Sequence, residues 1–372
     1  DAFFDTPDMP IVVEVAGGTG KVREFVLRAL DEGRHVVTAN KALLAVDGAD
    51  VFATAGAHGV AVGFEAACGG GIPMLTALQF GLMANRIEAL YGILNGTCNF
   101  ILTAMTRDGQ SYDDALAEAQ RLGYAEADPT LDVSGRDAAE KLAILASLAF
   151  GVRVDPETVA CEGIDGIDLA DLRFGAELGY DIKLLAIAER QGQSESISLR
   201  VHPCFITERS PLSHVQGPFN ALSAFGHALG HTMFYGRGAG QMPTASAVVS
   251  DLLNVASGWY PEAFRQMNLW CDRHDPPRLV KQADLVGRYY IRVNALDVPG
   301  VTATVTRILG DVGISLSAVL QHEVAVGQFV PLVIMTHHAR QGAMDEAAGK
   351  LEKLDVIDGK PVVLHVVELP EG

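Results

Sequence analysis

Apolar positions along this chain fall into two rhythms, a strand period and a helix period, and their order predicts the architecture. IVVEV at 11–15 is a short β-branched run that reads as a buried strand. Gly17, Gly18 and Gly20 follow it, 21–30 carries a helical pattern, and HVVT at 35–38 is the next strand. Strand, glycine turn, helix, strand is a βαβ rhythm and predicts a parallel sheet. A small helix and a strand (GVAVGFEAA) are expected within 51–66, a helix over 73–84 and a strand over 87–94. A turn and helix follow over 96–105, then an amphipathic helix over 111–122 that stops at Gly123. The most apolar helix is 138–150, rich in Ala and Leu. Beyond it come a short strand within 159–168, a helix at 169–179, strands at 181–189 and 197–206, and alternating sheet after Ser213. Strands with few long helices between them predict an open mixed sheet. Residues 258–287, with Trp259, Pro261, Pro276, Pro277 and many charges, read as a linker. After it, strand 288–296, helix 300–312, strands 315–324 and 329–337, helix 343–354 and strand 361–369 make the ferredoxin-like order βαββαβ.

Charges interrupt this pattern at one informative place. The stretch 122–151, LGYAEADPTLDVSGRDAAEKLAILASLAFG, sets Glu126, Asp132, Asp137 and Lys141 before and inside the apolar helix, with Ser134 and Gly135 as start signals. Asp137 and Lys141 are four residues apart and share a helical face that continues as Ile144, Leu145 and Leu148. One reading is a helix-face ion pair worth a few tenths of a kcal/mol. The other is a lysine, tuned by burial and its carboxylate neighbour, that moves a proton beside a substrate. Lys41 ends a predicted strand, where ligands gather in open parallel sheets. Gly17 and Gly18 stand either as a tight turn or as a backbone that approaches a phosphate. YGRGAGQ at 235–241 runs into Pro243-Thr244 and a helix over 245–256, which exposes a helix N-terminus. Asn95, Thr97 and Asn99 serve equally as turn chemistry or as substrate contacts. Lys183 sits on an apolar segment and is given a supporting role. His214, His227 and His231 lack metal-ligand company.

Composition narrows the class. At 372 residues, 49% hydrophobic and 20% charged, the chain has room for two or three domains with cores of their own. A net charge of −18 argues against nucleic acid or an anionic membrane as the main partner. Cys68, Cys98, Cys161, Cys204 and Cys271 show no CxxC spacing; the odd count, without a secretory segment, predicts a reducing cytoplasm. No apolar run approaches the ~18 residues of a membrane span.

GYAEADPTLDVSGRDAAEKLAILA resembles the signature segment of the homoserine dehydrogenases. VVTANKALLA, FEAACGGGIP, GILNGTCNFILTAM, GYDIKLLA and FYGRGAGQMPTASAVVSDLL extend the resemblance over roughly 10–255. It implies interconversion of L-aspartate 4-semialdehyde and L-homoserine with NAD or NADP. Glu126 and Asp137 would then bind the amino-acid substrate, with Asp132 in the remaining acidic position, and Lys141 would shuttle the proton. Lys41 would contact cofactor and substrate, and Gly240 and Gly238 the cofactor, joined by Gly17 and Gly18. A structural Na⁺ or K⁺ would lie at the Glu65 side chain or carbonyl and at the carbonyls of Cys68, Gly70 and Ile72. YYIRVNALDVPGVTATVTRILGDVGIS resembles an ACT domain, with the turn from Asp297 to Gly300 as effector site and threonine as first-choice effector. The expected division is a partial dinucleotide-binding domain (1–64, with 236–257 returning to it), a catalytic and dimerisation domain (65–235), the linker 258–287 and an ACT domain (288–372). The resemblance also implies at least a homodimer or homotetramer, and the ACT unit's helix-free sheet face and edge are expected to pair with a second copy. No GxGxxG occurs in the chain, so the first strands and the pyrophosphate loop of the family are expected to lie outside this sequence. A non-catalytic amino-acid sensor and a dehydrogenase of another amino acid remain as alternatives.

Overall fold

β1 (Ile11–Glu14), β2 (His35–Thr38) and β3 (Val62–Gly63) form a parallel sheet in that order. The structure, a computed structural model, describes residues 4–6, 8–192, 195–267, 277–322 and 327–370. Between these strands run α1 (Gly20–Asp31) and α2 (Lys41–His58). α1 buries Val26, Ala29 and Leu30. α2 starts ten residues before the expected helix because the Asn40 side chain accepts the Leu43 N–H and caps it there. It ends at Gly59, whose φ of 65° is the left-handed conformation a helix stop uses.

The expected helix over 73–84 is less regular. A single turn, α3 (Met74–Thr76), passes into a π-helical stretch, Ala77–Gly81, in which the Leu82 N–H reaches the Ala77 carbonyl. The central unit then runs β4 (Ile87–Ile93), α4 (Gly96–Asp108), α5 (Tyr112–Arg121), α6 (Thr130–Val133), α7 (Arg136–Phe150), β5 (Ala160–Cys161) and α8 (Leu169–Leu178). β6 (Tyr180–Arg190), β7 (Ile197–Thr207), β8 (Phe219–Gly226) and β9 (Gly230–Arg237) complete its sheet. α9 (Gln241–Ala256) returns to pack on the three parallel strands.

The stretch read as a linker is partly built. α10 (Trp259–Gln266) packs on α9 and buries Tyr260, and Leu279 bridges to Ile197 beside β7. Residues 268–276, with Cys271 and Pro276, and positions 323–324 of an expected strand lie outside the described residues.

The C-terminal unit is β10 (Val286–Leu296), α11 (Val301–Asp311), β11 (Leu316–Gln321), β12 (Phe329–Thr336), the short β13 (Ala339–Arg340), α12 (Gln341–Leu351) and β14 (Ile357–Val367). Its strand order β11-β12-β10-β14 is the ferredoxin-like arrangement foreseen. The expectation that the helix-free face is open to a second copy is overturned: that face and the β14 edge are occupied within the chain, while β11 is the outer strand at the sheet's other end. β14 pairs parallel with β7, His365 opposite Cys204 and Val367 opposite Ile206, so both units share one 11-stranded mixed sheet, β11-β12-β10-β14-β7-β6-β4-β8-β9 with β13 and β5 at its sides. Tyr290, Val333, Met335, Leu364 and Val366 on that face join the core cluster of the central unit, against Phe174 and Phe205. A side chain buried this way contributes about 1.5–3 kcal/mol, which favours packing the face inside the chain over leaving it open. The opposite face packs Ile291, Val293 and Ile334 against Val305 and Leu309 of α11 and Met344 of α12. Among the described residues no helix is long and apolar enough to cross a membrane.

Candidate active site

α7 positions the chemistry. Gly135 precedes it with φ 80°, a conformation that favours glycine, and a Cβ there would meet Cys161 Sγ at 3.0 Å. The chain therefore turns sharply into the helix, and Asp137 lies in its first turn. Asp137 is the hub of the site. Its Oδ1 accepts from Lys41 Nζ at 2.6 Å and its Oδ2 from Lys141 Nζ at 2.7 Å. Asn95 Nδ2 donates to Asp137 Oδ2 at 2.9 Å and to Asp132 Oδ1 at 2.7 Å. Thr97 Oγ1 donates to the Tyr124 carbonyl at 2.6 Å and approaches Asp132 Oδ2 at 3.3 Å.

The electrostatics follow from these contacts. Burial disfavours the Asp137 carboxylate, but the ammonium groups of Lys141 and Lys41 outweigh it and hold the carboxyl well below its usual range. Burial also disfavours the Lys41 ammonium, and Asp137 and Glu140, the latter at 2.8 Å, outweigh that and raise its pKa. At Asp132 burial dominates and pushes the carboxyl up, against the hydrogen bond from Asn95.

Lys141 has different surroundings. Its Nζ donates to Asp137 and, at 2.8 Å, to the Leu94 carbonyl at the end of β4. An ammonium has three donors. The third is left for the cleft that Lys141 lines.

That cleft has a volume of ≈ 390 Å³. Asn95, Asp132, Asp137 and Lys141 line it, together with Tyr124, Glu126, Arg237, Gly238 and Gly240. Glu126 is exposed, and its backbone carbonyl accepts from Gln120 Nε2 at 3.1 Å. The structure thus brings Lys41, Glu126, Asp132, Asp137, Lys141, Gly238 and Gly240 to one place.

Close backbone contact holds the two glycine loops together. Gly70 has φ 55°, and a Cβ on it would meet the Gly238 carbonyl at 2.7 Å. The Gly71 N–H donates to the Arg237 carbonyl at 3.2 Å. On the other side of this loop, Asp251 of α9 accepts the Glu65 N–H at 2.8 Å and the Tyr260 hydroxyl at 3.1 Å; burial pushes its carboxyl up to about 7.

Two groups of expected ligands have mixed fates. The Glu65 carboxylate is buried and accepts from the Leu75 and Thr76 N–H groups at 3.0 and 2.7 Å. Its oxygens cap α3, so a cation beside it would rely on carbonyls. The Ile72 carbonyl already accepts from the Met74 N–H at 2.7 Å, whereas those of Cys68 and Gly70 accept no hydrogen bond among the described residues. Burial pushes the Cys68 thiol up to about 12, which keeps its sulfur protonated and leaves only the carbonyl as a ligand. No group of three or more His, Cys, Asp or Glu among the described residues is arranged to hold a metal ion.

For a dinucleotide, the N–H groups of Ala16 and Gly17 turn inward to Glu14 Oε1 at 2.8 and 2.9 Å. Gly18 (φ 83°) faces open space, and Asn40 Nδ2 donates to its carbonyl at 2.7 Å, next to Lys41. α9 begins at Gly240 without a side-chain cap, so its first N–H groups stay open beside the cleft. An anionic or polar cofactor group fits these donors.

Asp297 and Gly300 form a turn before α11, bonded within its own unit: Asp297 accepts from Gln321 Nε2 at 3.3 Å. Lys183 of β6 is buried, donating to the Val215 carbonyl at 2.6 Å and to Asn99 Oδ1 at 3.3 Å, with burial bringing its pKa down to about 8. Sequence reasoning missed Glu140 and Arg237. Glu140 sits three residues beyond Asp137 on the same helical face, a spacing that offered a signal. Arg237 lay inside a glycine motif read only for its backbone.

Comparison with known proteins answers what this cleft belongs to. The sequence matches the family models "Homoserine dehydrogenase, NAD binding domain" over 1–65, "Homoserine dehydrogenase" over 73–253 and "ACT domain" over 289–356. It is 43% identical over 373 residues to a homoserine dehydrogenase of Synechocystis sp., covering 99% of this chain and 86% of that protein. A solved homoserine dehydrogenase from Thiobacillus denitrificans is 45% identical with a TM-score of 0.90, over 97% of this chain and 83% of that one. A hyperthermophilic archaeal homoserine dehydrogenase in complex with NADPH is 28% identical with a TM-score of 0.58, over 67% of this chain and 72% of that one. Matches of this extent favour the dehydrogenase reading over an amino-acid sensor and over an enzyme of another amino acid. The chain belongs to the homoserine dehydrogenase family, NAD(P)-dependent oxidoreductases, and carries that family's NAD-binding domain together with an ACT domain.

Proposed function

We propose that the cleft around Asp137 is where L-aspartate 4-semialdehyde and L-homoserine are interconverted, with Lys141 moving the proton. The observation that carries this is the unequal setting of the two lysines on one carboxylate. Lys41 is clamped between Asp137 and Glu140 and its pKa is raised, so it acts as a fixed positive charge. Lys141 touches a single carboxylate and a neutral carbonyl and keeps a donor for the cleft. A bound nicotinamide cofactor supplies or accepts the hydride. Lys141 donates its proton to the carbonyl oxygen in reduction and takes it back in oxidation. Asp137 stays ionised and orients Lys141 through the 2.7 Å hydrogen bond it accepts. Asn95 fixes Asp137 and Asp132 relative to each other, and Glu126 accepts from the substrate ammonium, which sets the approach geometry.

The finer assignments belong to the same proposal. Lys41, Gly18, Gly238 and Gly240 hold the cofactor, with Gly17 shaping the turn. Na⁺ or K⁺ would be held by the Glu65 side chain or carbonyl with the carbonyls of Cys68, Gly70 and Ile72, and would steady that loop. The dinucleotide-binding unit is 1–64 with 236–257, the catalytic unit 65–235 and the ACT unit 288–372; the last takes threonine at Asp297 to Gly300. The enzyme works as a homodimer or homotetramer.

A steady-state assay of L-homoserine oxidation with NAD⁺ and with NADP⁺ tests the reading. Turnover with at least one cofactor is expected. No turnover with either, in a folded protein that binds homoserine, would reject it.

A further inference from the structure

Arg237 stands out in the cleft by what it lacks. Of the cationic side chains lining it, Lys141 is paired with Asp137, while Arg237 has no carboxylate partner among the described residues. Its guanidinium lies 5.5 Å from the centroid of Phe219, and Phe219 stacks on Tyr235 at 5.2 Å. These rings support the side chain without neutralising it.

The backbone beneath it is fixed. Arg237 is the last residue of β9, paired with Phe219 of β8, and its carbonyl accepts from Gly71. The next residue, Gly238, is pinned against Gly70 and against Asn220, whose Nδ2 would lie 2.1 Å from a Cβ. The charge therefore springs from a rigid anchor, and only the side chain has to be ordered on binding.

Glu126 lines the same cleft, is exposed, and has no cationic partner among the described residues. An unpaired carboxylate and an unpaired guanidinium lining one cleft complement a zwitterion. The other acids there, Asp132 and Asp137, would repel an approaching carboxylate. A substrate bearing one needs a compensating cation; both lysines are ion-paired with Asp137, and the one donor Lys141 keeps serves the reacting oxygen.

We infer that Arg237 binds the α-carboxylate of the amino-acid substrate, with Glu126 on the ammonium, and so selects a zwitterion. This rests on the cleft being the substrate site. The planar guanidinium suits a carboxylate bidentately in a way a lysine does not.

The test is steady-state kinetics of Arg237→Ala and Arg237→Lys with L-homoserine and with L-homoserinamide, which keeps the ammonium and the hydroxyl and lacks the carboxylate. A charge-assisted contact of this kind predicts that Arg237→Ala raises KM for L-homoserine by about 10- to 100-fold, with kcat little changed. Arg237→Lys recovers part of the loss. For the amide, as substrate or as competitive inhibitor, Arg237→Ala leaves the affinity as in the parent enzyme. Cofactor KM and directly measured cofactor affinity stay constant. An unchanged homoserine KM, an equal loss for acid and amide, or a loss confined to the cofactor would overturn the assignment. Failure of the parent enzyme itself to turn over homoserine would instead reject the function on which the assignment rests.

Discussion

Asp171 of α8, with no exposed surface, accepts from Arg292 Nε at 2.6 Å and Nη2 at 2.8 Å, and Arg292 lies in the first strand of the ACT unit. Tyr290 of the same strand adds its hydroxyl at 2.9 Å. A two-pronged contact to a fully buried carboxylate fixes the orientation of one unit on the other. With the shared β14–β7 pairing, it ties the ACT fold rigidly to the central sheet.

Removing one side of this pair leaves a buried charge without a counter-charge. Arg292→Ala should therefore destabilise the protein by about 3–5 kcal/mol in urea unfolding. Replacing both residues by apolar ones of similar volume, Asp171→Leu with Arg292→Met, should recover most of the loss. Equal losses for the single and the double variant would contradict this account of the seam.

A second prediction concerns pH at the same seam. The His365 ring of β14 lies 4.1 Å from that of His202 of β7, tilted by 34°, and burial, then the Arg200 charge, brings its pKa down to about 4, against an opposing pull from Glu189. The buried His202 ring is pushed down in the same direction. An imidazole whose folded pKa lies below its unfolded value makes the unfolded chain bind more protons between the two. Stability from His365 is therefore present above about pH 6.5 and lost as the pH falls toward 4; between pH 7 and 5 the loss is about 2 kcal/mol. His365→Phe keeps the ring contacts and should narrow the gap between the urea midpoints at pH 7 and pH 5. An unaltered gap would show that His365 does not carry it.

Much of the fold was legible because its strands are short, β-branched and punctuated by glycine; β2 falls on the expected residues 35–38. The ferredoxin-like order was legible for the same reason. The fusion of the two sheets was not, because pairing β14 with β7 joins residues distant in sequence and leaves no periodic trace. In the site, the four-residue spacing of Asp137 and Lys141 gave their shared face. The bridge from Lys41 to Asp137 spans 96 positions and had no local signal. At Glu65 the sequence left side chain and carbonyl open as cation ligands; the carboxylate accepts the Leu75 and Thr76 N–H groups at the first turn of α3, a local cap that the glycine run after it did not announce.

Asn95 offers a sharper test of the hub. Its Oδ1 caps α4 through the Cys98 N–H at 2.8 Å while its amide donates to two carboxylates. Asn95→Asp keeps a good cap and replaces the donors with a third acid. A cost of about 1–3 kcal/mol is expected, with reduced kcat. The new carboxyl, crowded by like charges, has its folded pKa raised, so the stability gap to the parent protein should widen as pH rises from 4 to 7. A gap independent of pH would count against the arrangement.

Gly70→Ala addresses the contact between the two glycine loops. The added Cβ would strain the positive φ and press on Gly238 at 2.7 Å, where only backbone is available to yield. A destabilisation of about 1–3 kcal/mol is expected, with a rise in homoserine KM because Arg237 and Gly238 move. Unchanged kinetics would mean the loops do not set the cleft.

The most direct measurement is the turnover of Lys141→Ala with L-homoserine at saturating NAD⁺ or NADP⁺, alongside cofactor affinity from nucleotide fluorescence. If Lys141 carries the proton, kcat falls by about 10²- to 10⁴-fold while cofactor affinity is unchanged. Parent-level kcat in that variant would contradict the assignment of Lys141 and, with it, the division of labour between the two lysines on Asp137.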